Sequence, residues 1–155
     1  MPLISFNSSN FPLNLDLQYN QIHDIPNVDI LNQKTGFPHG FKTNFHLFLR
    51  KNSDSTFIYE DKNGFYHHFN LAINSQNLYY DTFGSGLMLL ETDDGYRVFD
   101  DFGNYQIFDI HGRLINITRK VSSNLDSSFF VTYLDDSSLK IYTISDSFGR
   151  TLNFL

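Results

Sequence analysis

The chain of 155 residues contains no cysteine and no tryptophan, and its only alanine is Ala72. Without cysteine, a disulfide framework and a thiolate zinc site are both excluded. Alanine is the best helix former, and the many Asn and Ser residues compete with helices through local side-chain hydrogen bonds. The composition therefore disfavours a helical fold. The length suits one domain with a real core, and we expect a single domain over residues 1–155.

Positive charge is also scarce, since 11 Lys and Arg stand against 17 Asp and Glu, for a net charge of −6. The only adjacent basic pairs are Arg50-Lys51 and Arg119-Lys120. Nucleic acid and anionic membrane surfaces need clustered Lys and Arg, so neither is an expected partner. No signal peptide is evident at the start, and no apolar run approaches the roughly 18 residues needed to cross a bilayer. We expect no membrane insertion.

Aromatic residues are abundant, with 17 Phe and 9 Tyr, and five of them lie in the stretch from Tyr96 to Ile117. Three short apolar runs in this stretch are separated by Asp100-Asp101-Phe102-Gly103 and Asp109-Ile110-His111-Gly112. Aromatic and β-branched runs favour strands. An Asp side chain can accept a nearby backbone N–H, and Gly adopts φ > 0 at little cost, so each separator predicts a tight turn.

The same pattern extends over most of the chain. Leu13–Tyr19 alternates apolar and polar residues without a fault, which is typical of a half-buried strand. Further strands are predicted at 44–50, 56–60, 65–69, 87–90, 129–133 and 139–144, whereas 20–34 reads as a loop and 119–128 as a polar break. Because sequential strands joined by tight turns favour a meander, we predict an all-β fold of consecutive antiparallel hairpins in one curved sheet.

The turns form a repeat with a period of about 20 residues, enough for two strands and two turns. Two units share a longer phrase, Asp-x-x-Gly-Arg followed by an apolar strand, at Asp109–Ile117 and Asp146–Phe154. The predicted structural turn residues are Asp61, Gly64, Asp81, Gly84, Gly95, Asp100, Gly103, Asp109, Gly112, Arg113, Asp146, Gly149 and Arg150.

These two phrases resemble units of RHS/YD-repeat proteins. Leu13–Asn20 is similar to the strand that often opens the segment before such repeats, and Gly36–Phe41 to a Gly-x-Gly-Trp-like phrase with Phe41 in place of Trp. Tyr80–Gly84 and Asp94–Phe99 also fit, although the Tyr-Asp dipeptide itself occurs only at Tyr80-Asp81. The resemblance covers most of the chain from about Leu13 onward.

The resemblance implies the N-terminal part of the repeat region of a bacterial wall-associated or polymorphic-toxin protein. In such a protein, the resemblance implies, the repeat array forms a β-shell around a C-terminal toxin or effector, and the protein is secreted or lies on the cell surface. The implied partners are further repeats and the C-terminal domain of the same protein. We also expect the chain to be an excised piece, because it stops within a strand-like pattern, and to be able to associate edge to edge.

Chemistry is not expected. The six histidines are His23, His39, His46, His67, His68 and His111. Adjacent residues of a strand point to opposite faces, so His67 and His68 make a poor chelate. The carboxylate-rich turns match no calcium-loop spacing. We therefore expect no metal, no cofactor and no catalysis. Two other hypotheses stay open: an extracellular binding module that holds carbohydrate or a partner protein through aromatic residues, and an enzyme with dispersed Asp residues.

Overall fold

The computed structural model describes residues 2–6, 13–19, 41–122 and 125–154, and every regular element within them is a β-strand. The strands are β1 Pro2–Phe6, β2 Leu13–Tyr19, β3 Phe41–Thr43, β4 Leu49–Lys51, β5 Phe57–Glu60, β6 Tyr66–Leu71, β7 Leu78–Asp81, β8 Met88–Thr92, β9 Gly95–Phe99, β10 Tyr105–Asp109, β11 Leu114–Ser122, β12 Leu125–Tyr133, β13 Ile141–Asp146 and β14 Thr151–Asn153. The predicted all-β class is confirmed. The described part of the chain holds no helix long and apolar enough to cross a bilayer.

The strands form two sheets. One has three strands in the order β1-β2-β3, and the other has eleven strands in the strictly sequential order β14 to β4. The described strand pairings are antiparallel. A sequential order of antiparallel neighbours is a meander, so the predicted succession of hairpins is confirmed.

The chain divides into two compact units, residues 47–130 and residues 1–46 with 131–155. Within 47–130, one face of the sheet is apolar and buried. Its buried side chains follow the two-residue period of the strands: Leu49, Phe57, Tyr59, Phe69, Tyr79, Leu89, Val98, Phe108 and Leu114. The prediction of a single domain over 1–155 stays a prediction.

The sheet of the 47–130 unit curves strongly. Strands β5 and β10 are five steps apart in the strand order, which in a flat sheet would separate them by about 24 Å. Yet the rings of Tyr59 on β5 and Phe108 on β10 lie 5.7 Å apart, edge to face. Phe57 on β5 likewise lies 5.2 Å from Tyr96 on β9. The concave face is therefore filled by the unit's own side chains.

The other unit contains the sheet β1-β2-β3 and the hairpin β13–β14. Strand β2 has the bounds predicted from its alternation, and its third residue, Leu15, is buried. In the hairpin, Ile141 and Ile144 are buried. Strand β14 ends the sheet order, and its pairing with β13 matches Thr143 with Asn153 and Ser145 with Thr151.

The predicted strand 44–50 was wrong for its first half. The chain turns at Asn44 and Phe45, and the strand begins at Leu49. Side chains make this turn: the Thr43 hydroxyl lies 2.6 Å from His46 Nδ1, and His46 N–H donates to the Thr43 carbonyl at 3.0 Å. Thr and His side chains here supply partners that a continuing strand would have taken from a neighbour.

The polar segment 119–128 was also misjudged, because most of it is strand. Its residues 119–122 lie in β11 and its residues 125–128 lie in β12, and these strands pair from Asn116↔Phe130 to Ser122↔Leu125. Polar side chains support this pairing: the hydroxyls of Thr118 and Ser128 lie 2.8 Å apart across the two strands. The predicted loop 20–34 and the phrase 36–40 lie outside the described residues.

Candidate functional site

The recurrent feature of this structure is the Asp-x-x-Gly turn. In the turns that begin at Asp61, Asp100, Asp109 and Asp146, the Gly N–H donates to the Asp carbonyl at 2.9–3.3 Å. The Asp N–H in turn donates to the carbonyl of the residue after the Gly, at 2.9–3.1 Å. This is a three-residue hairpin loop, a type I turn closed by a residue in the left-handed region. Their glycines occupy that region, with φ between 78° and 87°.

The Asp carboxylate holds each turn from inside. One oxygen, Oδ1, accepts the backbone N–H groups two and four residues ahead. For Asp109 these donors are His111 and Arg113, each at 2.9 Å. For Asp146 they are Phe148 at 3.0 Å and Arg150 at 2.9 Å. Asp61 and Asp100 repeat the arrangement. A charged acceptor for two backbone donors is worth more than a neutral one.

The second carboxylate oxygen takes a partner that depends on the residue after the Gly. Asp109 Oδ2 accepts Arg113 Nε at 2.7 Å, and Asp146 Oδ2 accepts Arg150 Nε at 2.5 Å. Asp100 Oδ2 accepts Asn104 Nδ2 at 2.8 Å. The phrase Asp-x-x-Gly-Arg is thus one hydrogen-bonded unit in which the Arg completes the pairing of the Asp.

Asp81 departs from this pattern, because its loop is longer and its N–H donates to the Leu87 carbonyl at 3.1 Å. Its Oδ2 accepts the Ser85 N–H at 3.3 Å and lies 3.1 Å from His67 Nδ1. Burial by itself raises the pKa of Asp81. Hydrogen bonds from Ser85, His67 and the Phe83 N–H outweigh burial and hold the pKa below its usual value.

His67 joins two of these turns. Its Nε2 lies 3.8 Å from Asp61 Oδ2, on the side opposite Asp81, and its ring stacks on Tyr59 at 5.7 Å. A histidine between two carboxylates ties the β5–β6 hairpin to the β7–β8 hairpin. Within the described residues, no group of three or more His, Cys, Asp or Glu side chains is placed to hold a metal ion.

Two glycines are required by close approach. Gly95 is the first residue of β9, and it pairs with Thr92 across the two-residue connection of the β8–β9 hairpin. A Cβ there would lie 2.2 Å from the Phe108 carbonyl oxygen on β10. Gly112 lies in its turn, where a Cβ would lie 1.9 Å from the Leu49 carbonyl oxygen. By contrast, Gly84 and Gly149 have nothing within 4 Å of an added Cβ.

The neighbour of Gly112 is a segment that sequence reasoning missed. The Leu49 N–H donates to the Gly112 carbonyl at 2.8 Å, and Phe48 forms an antiparallel bridge with Arg113. Arg113 is buried as a result. The local sequence around Phe48 and Leu49 does not predict this contact, because Gly112 and Arg113 are distant in the chain.

The turns also expose apolar rings. Phe83, Phe102 and Phe148 occupy the third position of their turns and are 73%, 82% and 58% exposed, and Phe65, just after Gly64, is 68% exposed. Single exposed apolar side chains are normal on a protein surface, whereas a contiguous patch of them marks an interaction site.

Comparison of the chain with protein-family models, with curated proteins and with solved structures gave no match.

Proposed function

We propose that the chain is a non-catalytic structural segment of an RHS/YD-type repeat array. The observation that carries this proposal is the shared construction of the Asp109 and Asp146 turns. Both have the same backbone hydrogen bonds, the same two N–H donors to Oδ1 and the same Arg Nε to Oδ2 pairing. Because the Asp-x-x-Gly-Arg turn is built in the same way at both places, it supports the proposal that this turn is a repeated unit from which the sheet is assembled.

The proposed role is mechanical. Each turn fixes a hairpin, and consecutive hairpins extend one sheet by two strands at a time. In the proposed full protein, further repeats continue the sheet and the array surrounds a C-terminal toxin or effector. The concave face of the 47–130 unit is filled by its own aromatic side chains. Any cargo would therefore be enclosed by the larger array and not within this unit. The proposed location is secreted or on a bacterial cell surface.

The full-length gene product tests this proposal. We expect its sequence to continue with Asp-x-x-Gly-Arg units and to end in a C-terminal domain that differs among close relatives. The expressed full-length protein should protect that domain from added protease, whereas the domain alone should be digested. A gene product without further units, or one whose C-terminal domain is digested at the same rate in both forms, would refute the shell.

The second candidate is a binding module for carbohydrate or a partner protein. The exposed rings Phe65, Phe83 and Phe102 favour it, because all three lie at hairpins on the same end of the 47–130 meander. Aromatic rings can stack on sugars or anchor a protein interface. A glycan array probed with the protein and with a Phe83→Ser, Phe102→Ser variant tests it. Specific binding that the variant loses would support this module over a purely structural role.

A further inference from the structure

The Asp61 turn differs from the other three-residue Asp-x-x-Gly loops in its third residue. That residue is Asn63, whereas Phe or His stands at the equivalent position in the turns that begin at Asp100, Asp109 and Asp146. Asn63 is exposed, and it is the only Asn of the chain that is followed by Gly. Because Gly has no Cβ, its backbone nitrogen can approach the side-chain carbonyl carbon of the preceding Asn closely.

This pair of residues can react with itself. A bond forms between the Gly64 nitrogen and Asn63 Cγ, and the bond from Cγ to Nδ2 breaks. Ammonia leaves with the proton of the Gly64 amide, and the product is a cyclic succinimide. Water then opens the ring at one of its two carbonyl groups, which gives aspartate or isoaspartate at position 63. Water is the sole co-reactant, so the reaction needs no enzyme and no oxidant.

The carboxamide of Asn63 is held less firmly than that of Asn104, which belongs to the Asp100 turn. Asn63 Nδ2 lies 3.4 Å from Asp61 Oδ2. By contrast, Asn104 Nδ2 donates to Asp100 Oδ2 at 2.8 Å, and Asn104 Oδ1 accepts the Lys120 N–H at 3.1 Å. Asn104 is therefore fixed at both ends of its carboxamide, and Asn63 is the more reactive of the two.

The turn itself restrains the attacking nitrogen. The Gly64 N–H donates to the Asp61 carbonyl at 3.1 Å, and it must leave this bond before the nitrogen can attack. Asp61 Oδ1 keeps the turn closed, because it accepts the N–H groups of Asn63 at 2.8 Å and Phe65 at 2.9 Å. The reaction therefore proceeds from a locally opened turn. We propose that Asn63 is a site of spontaneous deamidation and that the Asp61 carboxylate limits its rate.

The products weaken the turn. Aspartate at position 63 places a second carboxylate beside Asp61 Oδ2, and like charges repel. Isoaspartate adds a methylene to the backbone between the two N–H groups that Asp61 Oδ1 accepts. His67 Nε2 lies 3.8 Å from Asp61 Oδ2, so a displaced Asp61 also loosens the tie between the β5–β6 and β7–β8 hairpins. This inference rests on the Asp61 turn alone and does not depend on the proposed family.

Isotope labelling and mass spectrometry test the proposal. The folded protein is incubated in mildly alkaline buffer made with H₂¹⁸O and then digested in ordinary water, so that only products of the incubation carry the label. Cleavage after Glu60 and Glu91 releases the peptide 61–91, which also contains Asn74. Asn74 is exposed and is followed by Ser, so it serves as an internal control. We expect label at Asn63 before any other Asn, and more slowly than in a capped peptide of residues 61–65.

Two matched variants test the role of the carboxylate. Asp61→Ala removes the acceptor that keeps the turn closed, and it should speed labelling at Asn63 by at least about tenfold, since hydrogen bonds to charged groups favour the closed form by that factor or more. Asp100→Ala removes the equivalent acceptor from the β9–β10 hairpin, and it should leave the rate at Asn63 unchanged. The proposal is overturned if Asn63 stays unlabelled, if another Asn is labelled first, if Asp61→Ala gives no acceleration, or if Asp100→Ala accelerates the reaction equally.

Discussion

The backbone N–H of Leu49 donates a hydrogen bond of 2.8 Å to the carbonyl oxygen of Gly112. This contact joins β4, the first strand of the eleven-stranded sheet, to the turn between β10 and β11. In a flat sheet, β4 and β10 would lie about 29 Å apart. The Leu49–Gly112 contact therefore depends on the same sheet curvature that brings Tyr59 against Phe108. It also requires that Gly112 has no side chain.

The first prediction concerns Gly112→Ala. Alanine at φ +78° costs about 1–2 kcal/mol in backbone strain alone. Its Cβ would also lie 1.9 Å from the Leu49 carbonyl oxygen, so β4 must shift. We expect the free energy of unfolding, measured by urea denaturation, to fall by more than about 2 kcal/mol. Gly84→Ala has similar strain and open space, so it should lose only about 1–2 kcal/mol. Equal losses in the two variants would show that the Leu49 contact contributes nothing.

The second prediction concerns the pair Asp109–Arg113. The Arg113 side chain is 10% exposed. Removing the Asp109 carboxylate that pairs with it therefore leaves the guanidinium charge nearly buried. We expect Asp109→Ala to lower the free energy of unfolding by about 3–5 kcal/mol. Adding Arg113→Met should recover part of this loss, because it removes a nearly buried charge that has lost its Asp109 partner. A double-mutant cycle measures the coupling, and strictly additive losses would contradict a paired Asp-x-x-Gly-Arg unit.

The turns were the part of the fold most open to prediction, because their chemistry is local. The Asp carboxylate accepts hydrogen bonds from the N–H groups two and four residues ahead, and Gly adopts the left-handed backbone conformation. The motif therefore specifies the loop without contacts to residues distant in the sequence. Strand β2 was equally easy to predict, because apolar and polar residues alternate along it without interruption.

Long-range partners decided the features that were mispredicted. The polar residues 119–122 and 125–128 form strands because Thr118 and Ser128 meet across a ladder, and a polar run gives no sign of its partner. Gly95 also has a long-range role that its place at a hairpin turn does not reveal, because β9 passes close to β10 there. The Phe48–Leu49 segment on the Asp109 turn depends on sheet curvature, which emerges only when many strands are assembled.

The third prediction is a pH dependence from His46. Burial, with a smaller contribution from the positive charge of Lys42, lowers the pKa of His46 to about 4. An unfolded histidine has a pKa near 6.5, so the unfolded state binds a proton first as pH falls. Stability is therefore full above about pH 6.5 and is lost between about pH 6.5 and 4, by about 3 kcal/mol. His46→Asn keeps an acceptor near Thr43 without titrating, and it should flatten this slope in urea denaturation. A wild-type slope that the variant retains would contradict the assignment.

The fourth prediction concerns acid below that range. The pKa of Asp81 and of Asp146 is held below its usual value, because hydrogen bonds from Ser85 and His67 in one case, and from Arg150 in the other, outweigh burial. A lowered carboxyl pKa adds stability above the unfolded value of about 3.9, and that stability is lost as pH falls through the folded value. We expect a second fall in stability below about pH 4. The variant Asp81→Asn, Asp146→Asn should start less stable at pH 7 and show a shallower fall below pH 4. A fall of unchanged steepness would exclude these two carboxylates as its source.

The last prediction concerns the edge strand β14. Its pattern of hydrogen bonds directs the Leu152 and Phe154 N–H groups toward β13 and those of Thr151 and Asn153 outward. In native-state hydrogen exchange, Leu152 and Phe154 should therefore exchange slowly and Thr151 and Asn153 rapidly. Adding one further repeat of about 20 residues should pair the edge, slow exchange at Thr151 and Asn153, and leave Leu152 and Phe154 nearly unchanged. The same addition should reduce edge-to-edge association in light scattering. If Thr151 and Asn153 already exchange slowly in a monomer, and the added repeat changes nothing, then β14 is not an open edge and the proposed continuation of the array is wrong.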